Sequence, residues 1–300
     1  MTRIHEGEQA VQRRAGEGRP GWGSPMFDAT IPGAFAEFLR HQHTLVLGAT
    51  DDHGAVWASM LSGLPGFVST ADDHTVVVDH APPPGDPLHG AFASPRAIGM
   101  LALQPQTRRR IRVNGTATQE AERLVVRTEQ VLGNCPKYIQ VRTVSGHDDT
   151  VDPGSPQRSP ELTPHQVEWI RGADTFFIAS QSPDDGADVS SRGGMPGFVT
   201  VASPSRLRWP DYTGNQFYMT LGNLHLNPAS GLLFVDWERG HTLQLTGTAR
   251  VDWDPAAATV YPGALRVVEL DVEAVVQIDH ASPLRWQLHE YSRFNPAVAQ

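Results

Sequence analysis

Three short patterns occur twice in this 300-residue chain, at a nearly constant spacing. Gly-Leu-Pro-Gly-Phe-Val at 63–68 returns as Gly-Met-Pro-Gly-Phe-Val at 194–199, and Ile-Arg-Val-Asn-Gly-Thr-Ala at 111–117 returns as Leu-Gln-Leu-Thr-Gly-Thr-Ala at 243–249. A third pair, Gly-Met-Leu-Ala-Leu at 99–103 and Gly-Leu-Leu-Phe-Val at 231–235, is separated by the same number of residues as the second pair. Because a fixed offset marks a duplicated structural unit, the sequence predicts two copies of one fold, a pseudo-dimer within one polypeptide.

Composition limits the class of protein. The 28 glycines and 24 prolines favour short strands and turns over long helices. A net charge of −9 argues against a nucleic-acid partner, which favours a basic surface. The single cysteine, Cys135, excludes an intramolecular disulfide and fits a reducing compartment. With neither an apolar run of membrane-spanning length nor a secretory signal at the N-terminus, we expect a cytoplasmic protein without a membrane partner.

Short apolar segments that alternate with turn residues predict a mostly β (α+β) fold. Each copy is expected to be an antiparallel barrel of about six strands, with a few short helices. Helices are predicted at 32–41, after the capping residue Thr163, and at 221–227, and a strand is predicted at 215–220. The predicted domains are an N-terminal arm (1–29), a first barrel (30–145), a Pro-rich linker (146–160) and a second barrel with a C-terminal extension (161–300).

A series of motifs in the second copy resembles a known family. In order along the chain, the segments are Ser-Ser-Arg-Gly-Gly-Met-Pro-Gly-Phe-Val at 190–199, Pro-Asp-Tyr-Thr-Gly-Asn at 210–215, Thr-Leu-Gly-Asn-Leu at 220–224 and Leu-Gln-Leu-Thr-Gly at 243–247. This order is similar to that of the pyridoxamine 5′-phosphate oxidase-like, FMN-binding split-barrel family, in its predicted flavin-nucleotide-binding branch. The resemblance implies two tandem split barrels with FMN in the groove between them.

The resemblance also implies the residues that hold the flavin phosphate. Ser190, Ser191 and Arg192 offer hydroxyl and guanidinium donors, which a phosphate dianion requires, and Arg192 is the first choice for the anchor. The alternative for Arg192 is a surface arginine in a turn.

Four more residues of the second copy follow the family's pattern. Asn215, Thr220 and Asn223 lie in its next motifs, although many members carry Arg or Lys near Asn223. Gln244 is on the strand that faces the flavin in the family. Asn215 could instead be a turn residue, and Gln244 a solvent-facing one.

The first copy has diverged at these positions. Ser59 aligns with Ser190, but Leu61 stands in place of Arg192. Alternation on a strand places Arg108, Arg110 and Arg112 on one face, and this basic face either attracts an anion or is a solvated edge.

Three further residues of the first copy are assigned with open alternatives. Arg112 aligns with Gln244 and is expected to reach the flavin. Lys137 is a second candidate contact, with a surface position as the alternative, and Trp57 is a candidate neighbour of the ring, with a core position as the alternative.

The sequence therefore predicts an FMN-dependent oxidoreductase with one cofactor site. A small-molecule substrate or electron donor is implied, while the substrate itself, catalytic residues and further association into a homodimer are left open. The alternatives are a non-catalytic flavin-binding protein, or a split barrel that binds haem or a deazaflavin. The 13 histidines lack the spacing of a metal motif, so no metal is predicted.

Overall fold

The computed structural model describes residues 4–148 and 150–298. The strands of the first half are β1 (Thr44–Thr50), β2 (Val56–Ser62), β3 (Val68–Asp72), β4 (Thr75–Val78), β5 (Arg96–Gln104), β6 (Arg109–Glu120), β7 (Arg123–Gly133) and β8 (Val141–His147). Those of the second half are β9 (Gln157–Ser159), β10 (Thr175–Ser182), β11 (Gly186–Gly193), β12 (Thr200–Ser203), β13 (Arg206–Tyr212), β14 (Ala229–Asp236), β15 (His241–Asp252), β16 (Ala264–Ile278) and β17 (Leu284–Glu290). The helices are α1 (Glu6–Ala15), α2 (Gly33–Arg40), α3 (Pro164–Gly172), α4 (Met219–Leu226) and α5 (Pro255–Ala258).

The two large antiparallel sheets have the same topology. The first runs β2-β1-β5-β6-β7-β4-β3 and the second β11-β10-β14-β15-β16-β13-β12. Each strand along the second path occupies the position of the first-sheet strand whose number is lower by nine, so that β15 corresponds to β6 and β10 to β1. Short β9 also pairs with β16, and β8 pairs with β17 in a separate ribbon. The predicted mostly β fold with two tandem copies is confirmed, with seven shared strands in each copy.

The repeated motifs occupy equivalent places where the backbone requires glycine. Gly115 and Gly247 follow a register shift between neighbouring long strands, and a Cβ atom at either would lie 2.0 Å from a carbonyl oxygen of the next strand. Gly66 and Gly197, in the Pro-Gly-Phe turns, have φ of 104° and 93°. The shared motifs are therefore backbone requirements of the fold, at a bulge and at a left-handed turn.

The two sheets pack against each other through a shared apolar layer. Its buried members come from both copies and include the equivalent pairs Val46 and Phe177, Ala58 and Val189, and Leu101 and Leu233. A Cβ atom on Gly99 would lie 2.7 Å from the backbone of Asp188, and one on Gly231 would lie 2.6 Å from the backbone of Trp57. Since residues 57 and 188 are themselves equivalent, the interface has the reciprocal contacts of a two-fold dimer.

The N-terminal arm packs on the second half. Helix α1 contacts α4 so closely that a Cβ atom on Gly7 would lie 2.1 Å from the carbonyl oxygen of Gly222. Beyond the helix, the Trp22 indole donates a hydrogen bond to the Asn215 carbonyl oxygen at 3.0 Å. Residues 6–22 thereby fix the segment between β13 and α4.

Three predicted elements are confirmed and two are wrong. Helices α2, α3 and α4 form where expected, and a capping box at Thr163 starts α3. Residues 215–218 are a loop instead of a strand, because Gln216 and Tyr218 take positive φ. In the C-terminal extension, the apolar segments at 264–270 and 275–278 predict a strand followed by a helix, but the chain forms the two strands β16 and β17.

The predicted domain boundaries stay a prediction. The predicted linker begins within β8, at Gly146, and contains β9, and both strands pair with C-terminal strands. The outer ends of the predicted arm and extension, and residue 149, lie outside the described residues.

Within the described ranges, no helix is long and apolar enough to cross a membrane. The same residues contain no group of three or more His, Cys, Asp or Glu side chains that could hold a metal ion.

Candidate functional site

A cavity of about 110 Å³, here called the arginine cavity, lies between β6 of the first sheet and β11 of the second. Arg110 and Arg112 are two residues apart on β6, so their side chains lie on the same face of that strand. Strand β11 contributes Ser190, Ser191 and Arg192. The cavity thus combines one strand from each copy, at the interface that the duplication creates.

Three arginine side chains converge on two adjacent serines. Arg112 Nη2 and Arg192 Nη1 donate hydrogen bonds to Ser190 Oγ at 2.5 and 2.6 Å. Arg110 Nη1 donates to Ser191 Oγ at 2.6 Å. Like charges held this close require a counter-ion, so the arrangement favours an anionic ligand.

A buried carboxylate orients Arg112. Asp188 Oδ1 accepts a hydrogen bond from Arg112 Nη1 at 3.0 Å, and both side chains are almost fully buried. Thr220 Oγ1, from α4, donates to the same carboxylate at 3.3 Å. Asp188 therefore holds the Arg112 guanidinium in position and neutralises one of the three positive charges.

The electrostatics of the cluster are unbalanced in favour of positive charge. Burial and the neighbouring charges of Arg112 and Arg192 lower the pKa of Arg110 to about 9. Burial is also the main cause of the lowered pKa of Arg192. In the described part of the chain, the buried Nε atoms of Arg110 and Arg112 have no hydrogen-bond acceptor. An anion would supply the missing acceptors and counter-charge.

Aromatic side chains form much of the remaining wall. They are Tyr138, Tyr212, Phe217 and Tyr218, joined by Phe198. The rings of Tyr138 and Tyr212 are 5.3 Å apart. Tyr138, Gln216 and Tyr218 all have φ near 63°, a conformation that costs energy for residues other than glycine and that clusters at functional sites.

The N-terminal arm contributes Glu17 to this wall. Tyr218 Oη donates a hydrogen bond to Glu17 Oε2 and accepts one from Arg266 Nη2 at 3.2 Å. Burial and the Glu17 contact raise the pKa of Tyr218 to about 12, so its hydroxyl keeps its proton at neutral pH.

The structure brings seven of the eleven predicted residues to this cavity: Ser190, Ser191, Arg192, Asn215, Thr220, Arg112 and Lys137. Their role in cofactor binding stays a prediction. Arg108, predicted to share the face of Arg110 and Arg112, ends a turn before β6 with φ of 52° and donates to the Ile139 carbonyl oxygen. It therefore lies apart from the cavity wall.

The other four predicted residues lie elsewhere. Asn223 is buried between α1 and β10, where it bonds His5 at 2.8 Å and donates to Ser180 Oγ at 3.1 Å. Trp57 donates from its indole to Asp51 at 3.0 Å. Ser59 and Gln244 lie together between β2 and β15. We call this place the second groove, since it is the symmetry-related counterpart of the arginine cavity.

The chain fills the second groove with its own side chains. Asp86 Oδ2 accepts hydrogen bonds from Ser59 Oγ at 2.5 Å and from Gln244 Nε2 at 3.2 Å. Leu88 and Phe92, from the same loop, are fully buried in the first core. Ser59 and Gln244 are equivalent to Ser190 and Arg112, which line the open arginine cavity. In the second groove, the corresponding positions contact a carboxylate of the protein, that of Asp86.

Sequence reasoning missed four features of the site. It noted Arg110 in the basic run but did not assign it to the cofactor, although its spacing from Arg112 was the available signal. Asp188, Glu17 and the aromatic wall, apart from Tyr138 next to Lys137, have no local signature, because each is brought to the cavity by contacts across the chain.

Residues 162–279 match the family model described as pyridoxamine 5′-phosphate oxidase. Comparison with the curated proteins finds no match to this sequence.

Several solved structures are similar to part of the chain. A candidate pyridoxamine 5′-phosphate oxidase from Lactobacillus delbrueckii is 24% identical, with 39% of this chain and 94% of that one covered and a TM-score of 0.32. An FAD-binding protein from Mesorhizobium loti is 12% identical (41% and 97% covered, TM-score 0.29). A structure described as F420 reductase is 18% identical (37% and 95% covered, TM-score 0.28). At these scores, the likenesses support no functional argument.

Proposed function

We propose that the arginine cavity binds the phosphate of FMN, in line with the match of residues 162–279 to the family model described as pyridoxamine 5′-phosphate oxidase. On this proposal the protein is an FMN-dependent oxidoreductase with a single flavin. The observation that carries the proposal is the convergence of Arg110, Arg112 and Arg192 on Ser190 and Ser191.

The donor set fits a phosphate dianion. Guanidinium groups present planar pairs of donors to phosphate oxygens, and hydroxyl groups add further donors. The Nε atoms of Arg110 and Arg112 are donors for which the described residues offer no acceptor. Four cationic side chains line the cavity against the carboxylates of Glu17 and Asp211, and Asp188 lies behind Arg112, so one positive charge is left over for the ligand.

The remaining wall fits a flavin ring. Tyr138, Tyr212, Phe217 and Tyr218 would provide its apolar surroundings. The ring would lie along this wall, beside the loop that the N-terminal arm holds.

A bound flavin would supply hydride or electron transfer. The side chains of this chain would do the rest. The arginine cluster would bind and orient the phosphate, with Asp188 keeping Arg112 in place. The tyrosine wall would exclude water from one face of the ring, and Tyr218 would hold a proton on Oη at neutral pH.

The proposal is tested by absorbance and by FMN titration of the purified protein. We expect bands near ~370 and ~450 nm, or their appearance when FMN is added, as for other flavins. Replacing Arg192 with alanine removes a charged donor and should weaken FMN binding about tenfold or more. Arg123→Ala, at an exposed site on β7, is the matched control.

Three outcomes would refute parts of the proposal. A colourless protein that takes up no FMN refutes flavin binding, and a Soret band would indicate haem instead. Unchanged FMN affinity in Arg192→Ala refutes the phosphate assignment. If flavin is bound, its reduction by NADH or NADPH without oxygen distinguishes an oxidoreductase from a flavin carrier, since only the former requires a donor.

A further inference from the structure

Another groove, separate from the arginine cavity and from the second groove, lies at the end of the second barrel. It has a volume of about 790 Å³ and is bounded by α3, by the ends of β14 and β16 and by β17. Among the described residues, none lines both this groove and the arginine cavity. Its volume falls in the range of about 300–1,000 Å³ that is typical of small-molecule sites.

Three of the chain's seven tryptophans line this groove, which we call the tryptophan groove. Trp237 and Trp286 meet edge to face with their centroids 5.7 Å apart. Trp169, on α3, is half-buried and meets the His241 ring at 6.4 Å. Trp237 is also half-buried, so two indole rings keep part of their surface open to the groove.

The groove already holds one cation against an indole. The Arg142 guanidinium lies 5.2 Å from the centre of the Trp237 ring and pairs with the buried Asp174 carboxylate. Tryptophan is the aromatic residue that attracts cations most strongly, and a nearby carboxylate adds to the attraction. This internal contact shows the kind of group that the groove accommodates.

The charge of the lining is negative. Five carboxylates line it, from Glu168, Asp174, Asp236, Glu238 and Asp279, against the guanidinium groups of Arg142 and Arg239. Both arginines already pair with carboxylates of the groove. In the described part of the chain, the exposed Glu238 side chain has no cationic partner, and Asp279 is hydrogen-bonded only by amide side chains and backbone.

One histidine of the groove, His241, does little to offset this charge. Burial lowers the pKa of His241. Its ring is therefore mostly neutral near pH 7, where it would add little positive charge.

We propose that the tryptophan groove binds a small organic cation, an ammonium compound with an aromatic or alkyl body. The indole rings of Trp169 and Trp237 receive the cation, and Glu238 and Asp279 supply the counter-charge. Phosphorylated and carboxylated compounds are disfavoured there, so the two cavities of this chain select ligands of opposite charge. The proposal is independent of flavin binding.

The test uses three probes that share a benzyl group: benzyltrimethylammonium, benzyl alcohol and phenylmethanesulfonate. Binding to the full chain is followed by tryptophan fluorescence and by calorimetry at low ionic strength. We expect the cation to bind at least tenfold more tightly than the anion, with the alcohol between them. Added salt should narrow the difference, because these charges are partly exposed to solvent.

Two variants locate the site. Glu238→Gln removes an exposed charge without a described partner and should weaken cation binding about threefold to tenfold, while Trp169→Leu should weaken it by a similar or larger factor. Glu122→Gln, in an exposed turn, is the control and should leave cation binding unchanged. Circular dichroism confirms that each variant is folded.

Equal affinity for the three probes would overturn the proposal, as would cation binding that neither variant changes. Displacement of the cation by inorganic phosphate would place it in the arginine cavity and would also overturn it. Failure of FMN to bind would leave these results unaffected.

Discussion

The arginine cavity and the second groove occupy equivalent places between the same two sheets, yet they differ in what fills them. In one, Ser190 and Arg112 line an open cavity, where two guanidinium nitrogens have no hydrogen-bond acceptor among the residues that the structure describes. In the other, Ser59 and Gln244 donate to the Asp86 carboxylate. The backbone frame is shared, so the difference lies in the side chains. One groove is arranged to accept a charge from outside the chain, and the other is satisfied from within.

The comparison also separates positions that maintain the fold from those that serve a ligand. Gly115 and Gly247, at the bulges, are the same in both copies because a side chain would collide with the next strand. Other equivalent positions differ: Gln244 corresponds to Arg112, Leu61 to Arg192 and Leu88 to Thr220. We attribute these differences to the ligand, because only the arginine cavity needs these charged and hydroxyl groups. Replacing a residue of one groove with its counterpart tests this division.

The largest effect is expected from Arg112→Gln, which gives the arginine cavity the residue of the second groove. It leaves the buried Asp188 carboxylate without its ion-pair partner, at a cost of about 3–5 kcal/mol in the free energy of unfolding. FMN binding should be lost as well. Urea denaturation and FMN titration measure the two effects.

A double variant separates stability from binding in this prediction. Adding Asp188→Asn removes the unpaired charge and should restore most of the stability while FMN binding stays lost. If Arg112→Gln alone left the free energy of unfolding unchanged, the proposed neutralisation of Asp188 would be wrong.

A smaller effect is expected from Arg110→Thr, the counterpart of Thr242. Because burial lowers the pKa of Arg110, its charged form is disfavoured by folding, and at neutral pH the free energy of unfolding should rise when the charge is removed. FMN affinity should fall about tenfold, or about 1.4 kcal/mol. The affinity of the unmodified protein should weaken as the pH rises through about 9, whereas that of the variant should not.

Arg109→Thr is the matched control for this change. Arg109 points to the other face of β6, 5.0 Å from the Phe38 ring, and should leave FMN affinity and its pH dependence unaltered. Equal losses in the two variants would show that the strand, and not the charge in the cavity, was responsible.

The smallest effect concerns Asp86 in the second groove. Burial raises the pKa of Asp86, so the protonated carboxyl is favoured by folding and the free energy of unfolding falls as the pH rises above about 3.9, the usual value for aspartate. Asp86→Asn cannot ionise. It should gain stability relative to the unmodified protein between pH 4 and 7, by about 1.4 kcal/mol for each pH unit separating the two pKa values.

Urea denaturation at several pH values measures this gain. A stability difference that stays constant with pH would contradict the buried, pKa-raised state of Asp86. FMN affinity should be the same in both proteins, since Asp86 lies in the second groove.

The sequence predicted the duplicated β fold well, because its signals are local: glycines at bulges and turns, and alternation along strands. It brought Arg192, Arg112 and the two serines to one place. It assigned Gln244 to the same site because the family resemblance places it on the strand that faces the flavin, and Arg112 because the repeat aligns it with Gln244. In a reciprocal interface, however, equivalent residues lie in opposite grooves, so that alignment indicates a counterpart and not a neighbour.

Other features depend on contacts that no local pattern records. Asp188 reaches Arg112 across 76 positions of the chain. Glu17 comes to the cavity only because α1 packs on α4, through the close contact of Gly7 with Gly222. The occupation of the second groove depends on a loop, 79–95, whose fold is set by the burial of Leu88 and Phe92.

The reciprocal interface, held on one polypeptide, has a consequence for inheritance. Where two identical subunits form such an interface, every codon is expressed on both sides of the axis, and a change that improves one cleft is imposed on the other. Here the two sides are encoded separately. Asp86 could arise on one side without obstructing the other. Three arginines could likewise accumulate on one side without a second set of mutually repelling charges on the other.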